Sequence, residues 1–308
     1  MVIVADRKSR TDGPMFKMVE QINCSVPVVL MARTAGYRFN EDLLSLDKYV
    51  LVEASEMGWD WQLTETHRWG FNTEKFPQFE DEEYKKFDDW VAASPPVLTF
   101  TREVLKKDVT ETHIPIDYPC WYSVLDPVSE KEFNGRPISS FFFWGRSHEA
   151  RVKLHGRMWT EATEKGFSIC DNLAFLDKFL LEEQGRKIVS VNIPHYSRID
   201  IKQLLAVNNL SKTSIAMPGA GWKTFRHCES SFNSVMIKWA DELAWSFPWV
   251  DLSNCLDTVE GDEINEIQGA ITRDVNLYEI YKAGLANCKR YQIDNYIKHI
   301  EQQIKNVV

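Results

Sequence analysis

The sequence predicts an α/β protein made of two doubly wound halves that face a cleft, followed by a helical C-terminal segment. Apolar runs such as residues 26–31 and 49–52 are continuous, which is typical of parallel strands covered on both faces. Helix-compatible segments separate these runs, and 308 residues exceed the usual length of one compact domain. From residue 263 onward, the apolar residues recur at helical spacing.

The first half contains strands and helices in alternation. Asp12-Gly13-Pro14 predicts a helix start, because aspartate caps a helix and proline fits its first turn. Prolines interrupt residues 115–137, and we place a domain boundary in this segment, so that the expected domains are residues 1–130, 131–262 and 263–308. The predicted strands are residues 2–5, 26–31, 49–52 and 97–100, and the predicted helices are residues 15–23 and 80–93.

The second half repeats the alternation. An apolar strand at residues 138–144 opens it. Further strands are predicted at residues 188–191, 213–217, 235–239 and 249–252, and helices at residues 147–165, 173–183, 201–207 and 222–234.

Composition narrows the functional classes. The net charge of −9 argues against nucleic-acid binding through overall charge. The six cysteines include no C-x-x-C pair, and neither a signal peptide nor a membrane-spanning stretch is visible, so we expect a soluble cytoplasmic protein. Eleven tryptophans suit either a core or a sugar-binding cleft.

The most informative feature is a glycine turn after the strand at residues 213–217. It consists of Pro218, Gly219, Ala220 and Gly221. Glycines let the backbone approach an anion closely, and the N-terminus of the following helix offers unpaired N–H groups. The turn therefore predicts a phosphate site.

The helix after the turn carries matching side chains. Lys223 and Arg226 would supply positive charge to a diphosphate, and Glu229, on the same helix face as Arg226, would bind a ribose. The dinucleotide fingerprint is excluded because Thr224 occupies its third glycine position, and the P-loop because Met217 occupies its first.

Polar residues follow two other strands of this half. Gly145 and Arg146 come after the strand at residues 138–144, with Arg151 further along, and Asn192 follows residues 188–191. Ligands of doubly wound sheets bind at the carboxyl ends of the strands. We therefore expect these residues to line the same nucleotide-sugar site.

These motifs resemble the donor-binding domain of GT-B glycosyltransferases, with the exostosin-like group as the nearest pattern. The resemblance rests on Phe141-Phe142-Phe143-Trp144-Gly145-Arg146, on the strand with its P-x-G turn, and on R-x-x-E at Arg226 and Glu229, across residues 138–240. It implies two Rossmann-like domains, diphosphate contacts from the turn and Arg226, ribose contacts from Glu229, and C-terminal helices that brace the first domain. Asn233-Ser234 stands where that family usually has glycine or proline.

A metal or other cofactor is not expected. The chain contains no D-x-D motif, which the other main glycosyltransferase architecture uses to hold a divalent ion, and no Cys/His cluster has zinc spacing. Positive charge on the leaving diphosphate would come from Arg146, Lys223, Arg226 and the helix dipole.

The first half should hold the acceptor and any catalytic base. An inverting enzyme needs a group that takes the proton of the acceptor hydroxyl, whereas a retaining enzyme does not, and the residues leave this open. The candidates for the base are Asp12 after the first strand, Glu56 after the third (beside Glu53), and His67 in an aromatic segment.

The predicted function is hexosyl or pentosyl transfer from a nucleotide-diphosphate sugar to a hydroxyl acceptor, a glycan or another molecule. One alternative is a DNA glycosyltransferase acting on hydroxymethylated bases, with the basic loop at residues 7–10 facing the duplex. Others are a non-catalytic nucleotide-sugar or carbohydrate-binding protein, or a scaffold with vestigial domains.

Overall fold

The α/β class is confirmed by two parallel sheets. The computed structural model describes residues 1–5, 14–31, 38–54, 82–102, 104–121, 123–143, 167–170, 188–191, 201–216, 223, 226–238, 243–258, 267 and 269–308. Every strand pairing within these residues that belongs to a sheet is parallel.

The first sheet has strand order β1-β2-β3-β4-β5. Four of its strands confirm the sequence prediction within two residues, whereas β5 falls in the proline-rich segment and was not predicted. The order follows the chain without a reversal, so the described strands of this half lack the change of direction that a doubly wound sheet contains. The strands are β1 (Val2–Val4), β2 (Val28–Met31), β3 (Val50–Glu53), β4 (Leu98–Thr101) and β5 (His113–Pro115).

Both faces of the first sheet are covered, which explains its continuous apolar runs. Val28 and Val50 point to the face where helix α1 (Pro14–Val19) packs. Leu51, one residue on, packs instead with helix α2 (Glu82–Ala93). Successive strand side chains alternate between faces, so a strand buried on both sides must be apolar throughout.

The second sheet has strand order β11-β10-β9-β6-β8-β7. The chain starts at β6, passes to the edge strand β7 and comes back to β8, which lies between them. It then crosses β6 to add β9, β10 and β11 on the other side. This reversal creates a topological switch point between β6 and β9. The strands are β6 (Ile138–Phe143), β7 (Phe167–Cys170), β8 (Ile188–Val191), β9 (Ser211–Ala216), β10 (Val235–Lys238) and β11 (Leu256–Asp257).

Two predictions of local structure are wrong. Residues 249–252, predicted as a strand, form only an isolated bridge from Asp251 to Cys255, and a turn begins at Leu252, which has a φ of 60°. Asn254 holds this turn, because its Oδ1 accepts from the Val250 N–H at 2.7 Å. A short helix, α3 (Glu130–Asn134), lies in the segment predicted to be irregular, and the Ser129 side chain caps it. The helices predicted at residues 147–165 and 173–183 lie outside the described residues.

The remaining helices are α4 (Ile201–Asn209), α5 (Arg226–Ser231), α6 (Leu277–Arg290) and α7 (Ile293–Val307). Helix α6 packs on β10 and α5, and α7 packs on α1. One hydrophobic cluster contains Val50 of the first sheet, Met236 of the second and Tyr296 of α7. The two sheets and the C-terminal helices therefore share a continuous core.

Gly284→Ala should destabilise the protein although alanine favours helix formation. A Cβ atom at Gly284 would lie 2.6 Å from the backbone oxygen of Asn254, so helix α6 would have to move away from the turn. We expect a loss of about 1–3 kcal/mol in the free energy of unfolding, measured with urea. The control Ala286→Gly, at an exposed position of the same helix, should lose about 1 kcal/mol from helix propensity alone. A gain in stability for Gly284→Ala would contradict the close contact.

Candidate functional site

Three central strands of the second sheet end level with one another. Phe143, the last residue of β6, pairs with Val191, the last residue of β8. On the other side of β6, Phe142 pairs with Ile215, the penultimate residue of β9. The carboxyl ends of β8, β6 and β9 therefore meet at one edge, at the switch point where α/β sheets bind ligands.

The predicted donor-binding segments directly follow these strands. Gly145 and Arg146 follow β6, Asn192 follows β8, and the glycine turn follows β9. These residues, and the three candidates for the catalytic base, lie outside the described residues and stay predictions: Asp12, Glu56, His67, Gly145, Arg146, Arg151, Asn192, Pro218, Gly219, Ala220 and Gly221.

Arg226 and Glu229 lie on α5, a helix shorter than the predicted residues 222–234. It begins at Arg226 and ends at Ser231. The Ser231 hydroxyl donates to the His227 carbonyl at 2.7 Å, and such side-chain bonds compete with continuation of a helix. Asn208 on α4 donates to the Glu229 carbonyl at 2.6 Å and fixes the helix from outside. The spacing of three residues places Arg226 and Glu229 on one side of α5.

Lys223 lies in a different environment from the one its sequence position suggested. Its side chain is 1% exposed, and its Nζ lies 2.7 Å from Oδ1 of Asp117, which is 2% exposed. The same ammonium lies 4.9 Å from the centre of the Trp245 ring. The positive charge predicted for a diphosphate is thus already matched by a carboxylate inside the protein.

Asp117 is held by groups from two further parts of the chain. Its Oδ2 accepts from the Ser246 N–H at 2.7 Å and lies 3.2 Å from the Tyr291 hydroxyl. Its own N–H donates to the Tyr296 hydroxyl, which also lies 2.8 Å from the Ser246 hydroxyl. Burial, followed by the charge of Asp117, raises the pKa of both tyrosines, so their hydroxyls stay protonated at neutral pH.

The carboxyl edge of the first sheet carries a second group of buried polar residues. Glu53, the last residue of β3, is fully buried. Arg102, just after β4, is also buried and donates to the Ala54 carbonyl at 3.2 Å and to the Tyr118 hydroxyl at 2.6 Å. Arg102 and Asp117 were not predicted, although the signal existed: each is a charged residue that closely follows a strand.

Three buried cysteines lie where the two halves meet. Cys120 follows β5, Cys228 is on α5 and Cys288 is on α6. Hydrogen bonding with Cys120, together with burial, raises the pKa of the Cys228 and Cys288 thiols. Within the described part of the chain, no group of histidine, cysteine and acidic side chains is arranged to hold a metal ion.

Alkylation should therefore discriminate sharply among the cysteines. Thiolates are the reactive species, and Cys24 is only partly buried, so iodoacetamide at pH 8 should modify Cys24 well before Cys228, Cys255 or Cys288. Peptide mass spectrometry over a time course measures each rate in one sample, and urea-unfolded protein provides the control in which the rates converge. Equal native rates for Cys24 and Cys228 would contradict the burial of the cluster.

No helix among the described residues is long and apolar enough to cross a membrane. Neither a protein-family model nor a curated protein sequence matches the chain significantly.

Several solved structures resemble it. A mutant of S. aureus TarM, crystallised with fondaparinux, α-GlcNAc-glycerol and UDP, has 9% sequence identity and a TM-score of 0.49, and the match covers 94% of this chain and 57% of that chain. Another crystal structure of TarM has 10% identity and a TM-score of 0.47, over 95% of this chain and 57% of that one. The Gap123 glycosylation-associated protein complex of Streptococcus agalactiae has 11% identity and a TM-score of 0.40, and the match covers 95% of this chain and 56% of that chain. The chain thus spans a little over half the length of these proteins.

Proposed function

We propose that the protein is a GT-B glycosyltransferase that moves a sugar from a nucleoside-diphosphate donor to a hydroxyl acceptor. The observation that carries this proposal is the level ending of β8, β6 and β9 at the switch point of the second sheet. Asn192, the Gly145-Arg146 pair and the glycine turn each follow one of these three strands. A nucleotide bound there would meet all three segments.

The proposed reaction needs no metal or other cofactor. The acceptor oxygen forms a bond to the anomeric carbon of the sugar, while the bond from that carbon to the diphosphate oxygen breaks. Arg146 and Arg226 stabilise the negative charge that develops on the leaving diphosphate, and Glu229 binds the ribose hydroxyls. If the configuration inverts, the acceptor proton passes to one of the candidates for the base, Asp12, Glu56 or His67.

Thermal shift with nucleoside diphosphates tests the donor site. We expect UDP or a similar diphosphate to stabilise the wild-type protein, by about 2.7 kcal/mol at a concentration a hundredfold above its Kd. Arg226→Ala and Glu229→Ala should lose most of this shift while melting normally without ligand. The charge-matched controls Lys282→Ala and Glu279→Ala, on the outer side of α6, should keep it.

Release of sugar from the donor then separates an enzyme from a binding protein. Without an acceptor, we expect slow hydrolysis of the matching nucleotide sugar. With hydroxyl acceptors, we expect the nucleotide sugar to be consumed faster. Binding without any turnover would favour the carbohydrate-binding alternative, and a steep salt dependence of DNA binding would favour hydroxymethylated DNA as acceptor. The absence of a shift with every diphosphate would overturn the proposal.

A further inference from the structure

The Lys223–Asp117 ion pair joins two segments that leave different sheets. Lys223 belongs to the segment between β9 and α5, which also contains the predicted glycine turn. Asp117 lies two residues beyond the end of β5. Both segments therefore leave their sheets at the carboxyl edge, and the pair connects them at 2.7 Å.

Further contacts link the same two segments. The Cys228 thiol, on the first turn of α5, lies 3.9 Å from the Tyr118 carbonyl. Trp245 packs against both the Lys223 ammonium and the His227 ring, whose centre lies 4.6 Å from its own. Its neighbour Ser246 bonds Asp117 and the Pro115 carbonyl. The ion pair is thus the charged centre of a packed junction between the halves.

We propose that Lys223 and Asp117 are positioning residues, which anchor the segment between β9 and α5 to the first sheet and so set the position of α5, which carries Arg226 and Glu229, for donor binding. This inference rests on the proposed function. The Lys223 ammonium binds the protein's own carboxylate rather than the ligand. The cations that contact the diphosphate are then Arg146 and Arg226.

Two single variants separate this role from direct phosphate binding. If Lys223 anchors the segment, Asp117→Asn and Lys223→Met should both weaken UDP binding by about tenfold or more, since small misplacements of binding groups are costly. If Lys223 instead contacts the diphosphate, Asp117→Asn should leave UDP binding unchanged or tighten it, because the competing carboxylate is gone. Isothermal titration of folded protein, checked by circular dichroism, measures the difference. Unchanged or tighter binding by Asp117→Asn overturns the proposal.

Hydrogen exchange tests the anchor without any ligand. Asp117→Asn should raise amide exchange in peptides covering residues 217–231 and 116–120 more than in peptides of β1 and β2. The matched control is Asp257→Asn, which breaks the Lys238–Asp257 pair, 2.9 Å long, between β10 and β11. It should leave exchange at residues 217–231 and the affinity for UDP near wild type. A uniform rise in amide exchange across the protein in both variants would overturn the proposal that the pair anchors this segment.

Tyr296→Phe keeps the test available if Asp117→Asn does not fold. It removes the hydroxyl that contacts the Asp117 N–H and the Ser246 hydroxyl, and it leaves the buried charges of Lys223 and Asp117 paired with each other. We expect a smaller but local rise in amide exchange at residues 116–120 and 217–231. If exchange in these residues does not rise, the result counts against the anchor. If wild-type protein fails to bind UDP, the donor proposal fails on that result, and the exchange data still decide whether the pair anchors the segment.

Discussion

Asp117→Asn should lower the free energy of unfolding by about 3–5 kcal/mol, the usual cost of removing one partner of a buried ion pair. The reason is that Lys223, 1% exposed, would lose its carboxylate partner in a place that water does not reach. Asparagine preserves the shape of the side chain, so the loss reports on charge rather than on packing. Urea unfolding followed by tryptophan fluorescence measures it.

Two further variants serve as comparisons for the stability of Asp117→Asn. Asp257→Asn should cost less, because Asp257 is 21% exposed and solvent weakens its attraction to Lys238. The double variant Asp117→Leu with Lys223→Met should recover much of the lost stability, since apolar residues of similar volume often replace a buried pair without cost. Asp117→Asn with near wild-type stability would mean that the pair does not form in solution.

Arg136→Ala should destabilise the protein by roughly 3 kcal/mol, because two buried carbonyls would lose their donor. The Arg136 guanidinium donates to the Ser211 carbonyl at 2.8 Å and to the Asn233 carbonyl, beside the starts of β9 and β10. Its carbon lies 4.8 Å from the Phe133 ring centre and 5.2 Å from that of Tyr281, and burial lowers its pKa.

Arg136→Lys should recover little of this loss, because an ammonium cannot reproduce the planar fork that reaches both carbonyls. The site lies at the amino edge of the second sheet, opposite the proposed donor site. Arg136 variants should therefore melt earlier but bind UDP with wild-type affinity at temperatures where they are folded. Wild-type stability for Arg136→Ala, or a selective loss of UDP binding, would contradict this placement.

Strands that are buried on both faces could be predicted from the sequence, because short continuous apolar runs are typical of such strands. Residues 28–31 and 50–53 are such runs. Residues 113–115 escaped prediction because a three-residue strand ending in proline has little pattern of its own. The apolar residues at 249–252 look like a strand locally, but the side chain of Asn254 stabilises a turn there.

The candidate site was predictable only in part, because its charges are paired across the fold. The glycine turn, Arg226 and Glu229 form a local pattern, and the strand order places the preceding strands side by side. Lys223 fits the same pattern, yet its partner Asp117 comes from the other half of the chain. Local spacing cannot identify a partner so distant in sequence, and it therefore cannot separate a cation that binds a ligand from one that binds its own protein.

A crystal structure of the protein with UDP tests the central claim most directly. We expect density for the diphosphate beyond the carboxyl ends of β6 and β9, within reach of Arg226, with the ribose near Glu229 and the Lys223–Asp117 pair intact. A nucleotide bound at the amino edge of the second sheet, or on the first sheet alone, would contradict the assignment of the donor site.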